Sequence, residues 1–251
     1  MEQEVDEREI AIDNVLLAGV MMMKSGAETY RIEDTMRRMA DAQALTNSHA
    51  FVMPTGIIFS PGRPSHTKLI RIEERNTDLE KVAFINDVSR RLASGTYSIV
   101  EANERLRYLE QSSTASPLWV EMVAAAVASG SFLFLFGGGL AEVFIAMIAG
   151  CIGYGVSETL EGDSRVQFVG EFIGALCVAT IVSIAFTFGV GTFLDKMILG
   201  GIMPLVPGVL ITNGVRDLMA GSFISGVSKG AEALLTSFAL GAGVAIVLAL
   251  M

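Results

Sequence analysis

Between Pro117 and Met251 the chain carries only four basic residues, Arg165, Lys196, Arg216 and Lys229, whereas 14 of its 18 Lys and Arg lie before Ser116. Acidic residues divide the same way, 18 before Ser116 and nine after it. So long a stretch, so poor in charge, cannot face water over most of its surface. It resolves into five apolar runs, near 118–136, 140–159, 168–190, 197–212 and 231–251. A helix needs roughly 20 apolar residues to cross a hydrocarbon core, which four of the runs provide; the fourth in order is short and broken. A hydrophobic fraction of 51% with 26 glycines in 251 residues excludes one soluble globular domain. The expectation is an α-helical membrane protein with about five transmembrane helices in 117–251, preceded by a small α/β cytoplasmic domain in 1–116.

The start, MEQEVDEREIAIDNVLLAGV, is acidic and lacks the basic flank and long apolar core of a secretory signal, so the N-terminal domain is expected in the cytoplasm. Basic flanks mark the cytoplasmic side of membrane helices. With the N-terminus inside, the inner segments hold 14 cations, then Arg165, then Arg216 and Lys229, against Lys196 alone outside. This places the N-terminus inside and the C-terminus outside. Acid exceeds base on both sides of Ser116, so neither region has the basic footprint of a nucleic-acid binder. Cys151 and Cys177 both fall in apolar runs and read as small packing residues.

Residues 9–24 place Ile10, Ile12, Val15, Leu16, Val20 and Met23 on a helical stripe that ends before Ser25-Gly26. A second helix is expected over 28–44. Residues 48–59 and 67–73 read as strands around Pro54-Thr55-Gly56, joined through Pro61-Gly62-Arg63-Pro64. Helices follow over 78–93 and from Ser98, where Glu101 three residues on completes a capping box.

No phosphate-binding glycine loop, HExxH, GxSxG or CxxC pattern is present, which argues against ATP-driven transport and the common hydrolase chemistries. His49 and His66 cannot close a metal site by themselves, and no metal or cofactor is expected. Four features stand out. In MPLVPGVLITNGVRD (203–217), Pro204, Pro207 and Gly208 interrupt a membrane helix, and such interruptions form substrate sites in many secondary transporters. Thr212 and Asn213 add a hydroxyl and an amide; the alternative is a packing kink with Arg216–Asp217 as an interfacial pair. Acids in or beside apolar runs, Glu121, Glu142, Glu158, Glu171 and Asp217, are costly in a bilayer unless paired or wetted; Glu142, Glu171 and Asp217 are the proton-coupling candidates, with snorkelling the alternative for the two nearest helix ends. The segment KSGAETYRIEDT (24–35) can be a site, with Glu28 and Glu33 as acid and base and Arg31 gripping an anion, or a helix start capped by Ser25 or Thr29. Pro54-Thr55-Gly56 is a turn or an amide nest for an anion.

SGAETYRIEDTMRRM, PTGIIFS, LIRIEERNTDLEKVAFINDVSRRLASG, FLFLFGGG and PLVPGVLITNGVRDLMAGSFISGVSKGAEALL, in this order, resemble the threonine/serine exporter family from about Leu16 to Ala249. The chain is most similar to the split form of that family, in which a smaller membrane protein supplies further helices; a two-subunit succinate exporter is among the split relatives. The resemblance implies proton-driven efflux of threonine, serine or a C4 dicarboxylate such as succinate, and a second small membrane subunit in an oligomer. It also marks Glu28, Arg31, Glu33, Asp34, Pro54, Thr55, Gly56, Ser89, Arg90, Pro207, Gly208, Thr212, Asn213, Arg216, Asp217 and Gly221 as functional candidates. Where relatives often carry Asp after the glycine run, this chain has Glu142.

Two other readings stand beside it. Ser25, Glu28, Ser89 and Arg90 could belong to a membrane-anchored hydrolase-like enzyme or sensor, although two loop histidines supply no triad logic. Alternatively, residues 1–116 gate the cytoplasmic mouth of a transporter.

Overall fold

The computed structural model describes residues 2–63, 65–73, 75–112, 116–163 and 168–251. Pro64 of the strand connection and Arg165 of the charge count lie outside them. Two compact units result, each built from two stretches of chain: Met1–Ala115 with Ile211–Gly230, and Ser116–Leu210 with Ala231–Met251.

The first unit opens with α1 (Glu2–Lys24), longer at its start than the apolar stripe predicts, and α2 (Thr29–Ala42). On α2, Ile32, Met36, Met39 and Ala40 are fully buried at helical spacing, while Arg31, Asp34 and Arg37 lie on other faces. The strand run expected over 48–59 is two strands, β1 (His49–Met53) and β2 (Gly56–Ser60), followed by β3 (Lys68–Arg71). They form an antiparallel sheet of order β1-β2-β3, in which Met53 opposite Gly56 leaves Pro54-Thr55 as a two-residue loop. Helices α3 (Leu79–Ala93) and α4 (Ile99–Gln111) complete the layer. Asp78 caps α3 by accepting from the Lys81 amide, and Ser98 and Glu101 cap α4 reciprocally. Val15, Met22, Ile57, Phe59, Ile85 and Leu106 fill the core. One polar network crosses it: the Asn14 amide donates to Gln43 and to the Ile99 carbonyl and accepts from Asn103, so burial leaves none of these bonds unmade.

The second unit contains α5 (Leu118–Leu135), α6 (Leu140–Asp163), α7 (Val169–Thr187) and α8 (Leu194–Ile202). A single 3₁₀ turn, Met203–Leu205, follows α8, then α9 (Gly208–Met219) and α10 (Phe223–Ala249). Among the described residues four helices are long and apolar enough to cross a membrane, Leu118–Leu135, Leu140–Leu160, Val169–Thr187 and Phe223–Ala249, and a fifth crossing results if Leu194–Leu205 and Gly208–Met219 form one bent span. The run expected at 197–212 is thus three pieces, because Pro204 and Pro207 lack the amide hydrogens a continuous helix would use. The last helix starts before the expected residue 231.

Glycines let these helices touch. A Cβ on Gly174 would sit 2.7 Å from the Gly153 carbonyl oxygen, and one on Gly243 would sit 2.5 Å from the Phe172 carbonyl oxygen. Gly241 faces open space instead. Cys151 and Cys177 are free and half-buried.

Candidate functional site

The first unit gathers an ionic cluster where the α1–α2 loop meets the end of α9 and the start of α10. The loop is shaped by Gly26, whose φ of +76° turns the chain out of α1 in the left-handed conformation that glycine adopts without a Cβ clash. Gly221, φ +87°, does the same between α9 and α10. The α9–α10 hairpin is tight: a Cβ on Gly226 would lie 2.8 Å from the Gly214 carbonyl oxygen. This approach brings Lys229 of α10 against Asp217 of α9, Nζ to Oδ2, at 2.8 Å.

Both members of that pair are buried, with side chains 5% and 0% exposed. Their remaining hydrogen-bonding capacity is spent on the loop. The Thr29 amide donates to Asp217 Oδ1 at 2.9 Å, and Lys229 Nζ donates to the Ala27 carbonyl at 3.3 Å and to Thr29 Oγ1 at 3.4 Å. The Asn213 amide donates to the Gly26 carbonyl at 2.8 Å. Glu28 accepts from Arg216 Nη1 at 2.6 Å and from Arg31 Nη2 at 3.3 Å, and Arg31 Nε lies 3.0 Å from its other oxygen.

Neither Ser25 nor Thr29 caps α2, contrary to the sequence expectation. Glu28 occupies the cap position without a side-chain cap bond, and the orphan Thr29 amide takes its acceptor from Asp217, 188 residues away. A carboxylate there also complements the positive end of the helix. The expected Arg216–Asp217 pair is divided between other partners: adjacent helical residues point about 100° apart, so Arg216 reaches Glu28 and Asp217 reaches Lys229.

Glu28 and Glu33 are shifted in opposite directions. Burial works against the Glu28 charge, but the bonds from its own amide and from Arg216, with the fields of Arg31 and Arg216, outweigh it and hold Glu28 below the ordinary range. Glu33, one turn into α2, accepts from the Val52 amide at 3.0 Å. Burial pushes it up; the Val52 bond partly offsets this, and the negative charge of Asp217 adds to the rise.

The other candidates lie elsewhere. Asp34 pairs with Arg37 and Arg38 on the surface of α2. Pro54 and Thr55 form the β1–β2 turn, and Gly56 begins β2, where a Cβ would crowd the Ile70 carbonyl oxygen at 3.0 Å. Ser89 is fully buried on α3 with a hydroxyl that meets no partner among the described residues, while Arg90 is exposed. Pro207 and Gly208 stand at the break before α9, Gly208 with open space around it, and Thr212 is exposed on α9. In the second unit, Glu142 is 5% exposed and accepts from the amides of Gly139 at 2.7 Å and Thr192 at 2.5 Å and from the Thr192 hydroxyl at 3.1 Å. Those bonds tie the start of α6 to the loop before α8. Glu171 is half-buried in the first turn of α7, and its Oε2 is buried without a hydrogen-bond partner among the described residues.

Lys229 is the residue that sequence reasoning left out of the site, having counted it only as a flanking cation. Its signal was present: it is one of four cations after Ser116, twelve residues beyond Asp217 across a glycine turn.

Comparison with known proteins places these observations in a family. The model of the threonine/serine exporter family, ThrE, matches residues 13–251. A Mycobacterium tuberculosis protein named "Probable threonine/serine exporter" is 24% identical over 94% of this chain and 45% of its own length. An uncharacterized protein of Schizosaccharomyces pombe is 22% identical over 90% of this chain and 31% of its own, and the "Pheromone-regulated membrane protein 10" of Kluyveromyces lactis is 24% identical over 90% and 24%. The chain spans less than half the length of these curated relatives. No solved structure matches it.

Proposed function

We propose, because the chain belongs to the threonine/serine exporter family, that it is the part of a secondary-active exporter that carries the substrate gate. The cargo is a small polar metabolite, threonine or serine in the first place, with a C4 dicarboxylate such as succinate as the competing assignment. The exporter works in a bacterial inner membrane with the first compact unit in the cytoplasm. It is driven by the proton gradient and works together with a second small membrane subunit.

The observation that carries the reading is the buried Asp217–Lys229 pair capped onto the α1–α2 loop. A soluble domain that merely hung from the membrane helices would not need its helix start completed by a carboxylate from α9, since a local Ser or Asp does that more cheaply. The cluster also offers what a zwitterion or dicarboxylate must meet: Arg31, Arg216 and Lys229 for a carboxylate, Glu28 and Asp217 for an ammonium group. A ligand that competes for these groups would loosen the loop from α9 and α10, which makes the cluster a gate. Glu142, Glu171 and Asp217 are the acids assigned to proton coupling. The hydrolase reading gains nothing from the geometry, because Ser89 is buried and both histidines, His49 and His66, are exposed.

Counterflow of labelled threonine, serine and succinate in proteoliposomes holding this chain with its second membrane component, with and without a pH gradient, tests the proposal. Gradient-dependent movement of one substrate, reduced at least tenfold by Arg216→Ala, is expected. Absence of movement for all three in correctly assembled vesicles overturns it.

A further inference from the structure

The cluster contains three cations, Arg31, Arg216 and Lys229, and two acids that each have a cationic partner, Glu28 and Asp217. Glu33 is the third acid and is placed differently. It lies four residues after Thr29, on the same face of α2 and one turn further along, and Thr29 is the residue whose amide Asp217 caps. Its carboxylate takes one hydrogen bond, from the neutral Val52 amide of β1, and no salt bridge to it is found among the described residues.

We propose that Glu33 is a proton-binding residue that sets the strength of the Asp217 latch: taking up a proton tightens the hold of Asp217 on the α1–α2 loop, and losing it loosens that hold. The physical basis is repulsion. Ionised Glu33 and Asp217 are like charges within one partly buried site, where the effective dielectric is well below that of water. Asp217 is fixed by Lys229 and by the α2 amide, so the strain falls on those bonds when Glu33 is charged. Neutral Glu33 keeps an oxygen for the Val52 amide and removes the repulsion. The rise of its pKa agrees with this arrangement.

Of the groups around Glu33, the Val52 amide and Asp217 act on its charge, and the other charged groups on the surrounding elements are engaged elsewhere or exposed. α9 carries Asp217, whose charge acts on Glu33, and Arg216, which is bound to Glu28; α10 carries Lys229, which is engaged by Asp217. β1 presents the Val52 amide, with His49 exposed at its start. On α2 itself Arg31 is committed to Glu28 and Arg37 to Asp34. α1 ends in the exposed Lys24, and α3 meets α2 through the neutral Asn86–Thr35 contact.

This role rests on the exporter reading only in its consequence for transport, and two measurements keep them apart. The first is hydrogen–deuterium exchange on the full chain in detergent, wild type against Glu33→Gln at the same pH. The segment containing Thr29 is expected to exchange more slowly in Glu33→Gln at neutral pH, and the difference is expected to vanish once the pH falls below the ordinary Glu range, about 4.3. Equal exchange at both pH values, or faster exchange in the variant at neutral pH, overturns the proposal. An infrared carboxyl band that titrates above that range in the wild type and is missing from Glu33→Gln is expected alongside; a band at or below it overturns the assignment of the proton. The second measurement is counterflow. Gradient dependence is expected to be lost in Glu33→Gln and restored in Glu33→Asp, whereas a variant that keeps full gradient dependence overturns the link to transport. If the exchange and infrared results hold while no wild-type counterflow is seen, the proton site stands and the exporter reading fails.

Discussion

At the scale of single residues, the buried pair gives the sharpest expectation. Lys229→Met leaves Asp217 charged, buried and facing only a backbone amide, which should cost about 3–5 kcal/mol. The double variant Asp217→Asn with Lys229→Met should recover part of that loss, because Asn keeps an acceptor for Thr29 without the stranded charge. Denaturation in detergent of both single variants and the double variant reads the coupling directly. Glu28 gives the pH dependence. Its folded pKa is lowered, so the stability it contributes is present above the ordinary Glu range and is lost as pH falls through the folded value. Glu28→Gln should therefore be less stable than wild type at neutral pH, with the gap closing on acidification. Glu33→Gln should behave oppositely: its folded pKa is raised, so ionisation costs stability above the ordinary range, and the variant should be the more stable form at neutral pH.

At the scale of elements, what was legible in the sequence was local. Ser98 and Glu101 announced the start of α4 at a spacing of three, and Pro204 with Pro207 announced that the fourth apolar run could not be one helix. The start of α2 was placed correctly, but its cap was misread because the cap is not local: no pattern within a few residues of Thr29 points to Asp217. The same holds for Glu142, whose depth the sequence left open and whose partners, apart from Gly139, lie fifty residues on. Its bonds make a structural test available. Glu142→Ala removes the acceptor of two amides, at a cost of about 1–3 kcal/mol for each left unsatisfied, measurable as a lower melting temperature in detergent. The glycines of the apolar runs were visible as a composition, but which of them sit at crossings was not. Gly174→Leu should destabilise the α6–α7 crossing strongly, because the obstacle is the Gly153 carbonyl rather than a movable side chain. Gly241→Ala, which meets open space within the chain, should be nearly neutral in the same assay.

At the scale of the whole molecule, the unit that holds the cluster is assembled from Met1–Ala115 and Ile211–Gly230. A fragment ending near residue 115 keeps its hydrophobic core but loses the cap of α2 and both partners of the loop, so it should fold with residues 25–31 unprotected from amide exchange. Appending residues 208–230 through a flexible linker should restore that protection. The composite origin of this unit also orders events during synthesis. Thr29 leaves the ribosome 188 residues before Asp217, which at 5–20 residues per second is about 10–40 s. During that interval α5 to α8 are being made and threaded into the bilayer, and the start of α2 has no acceptor for its first amide. The α1–α2 loop therefore closes only after α5 to α8 have been made, and a chaperone or protease that samples the nascent chain would meet it open until then.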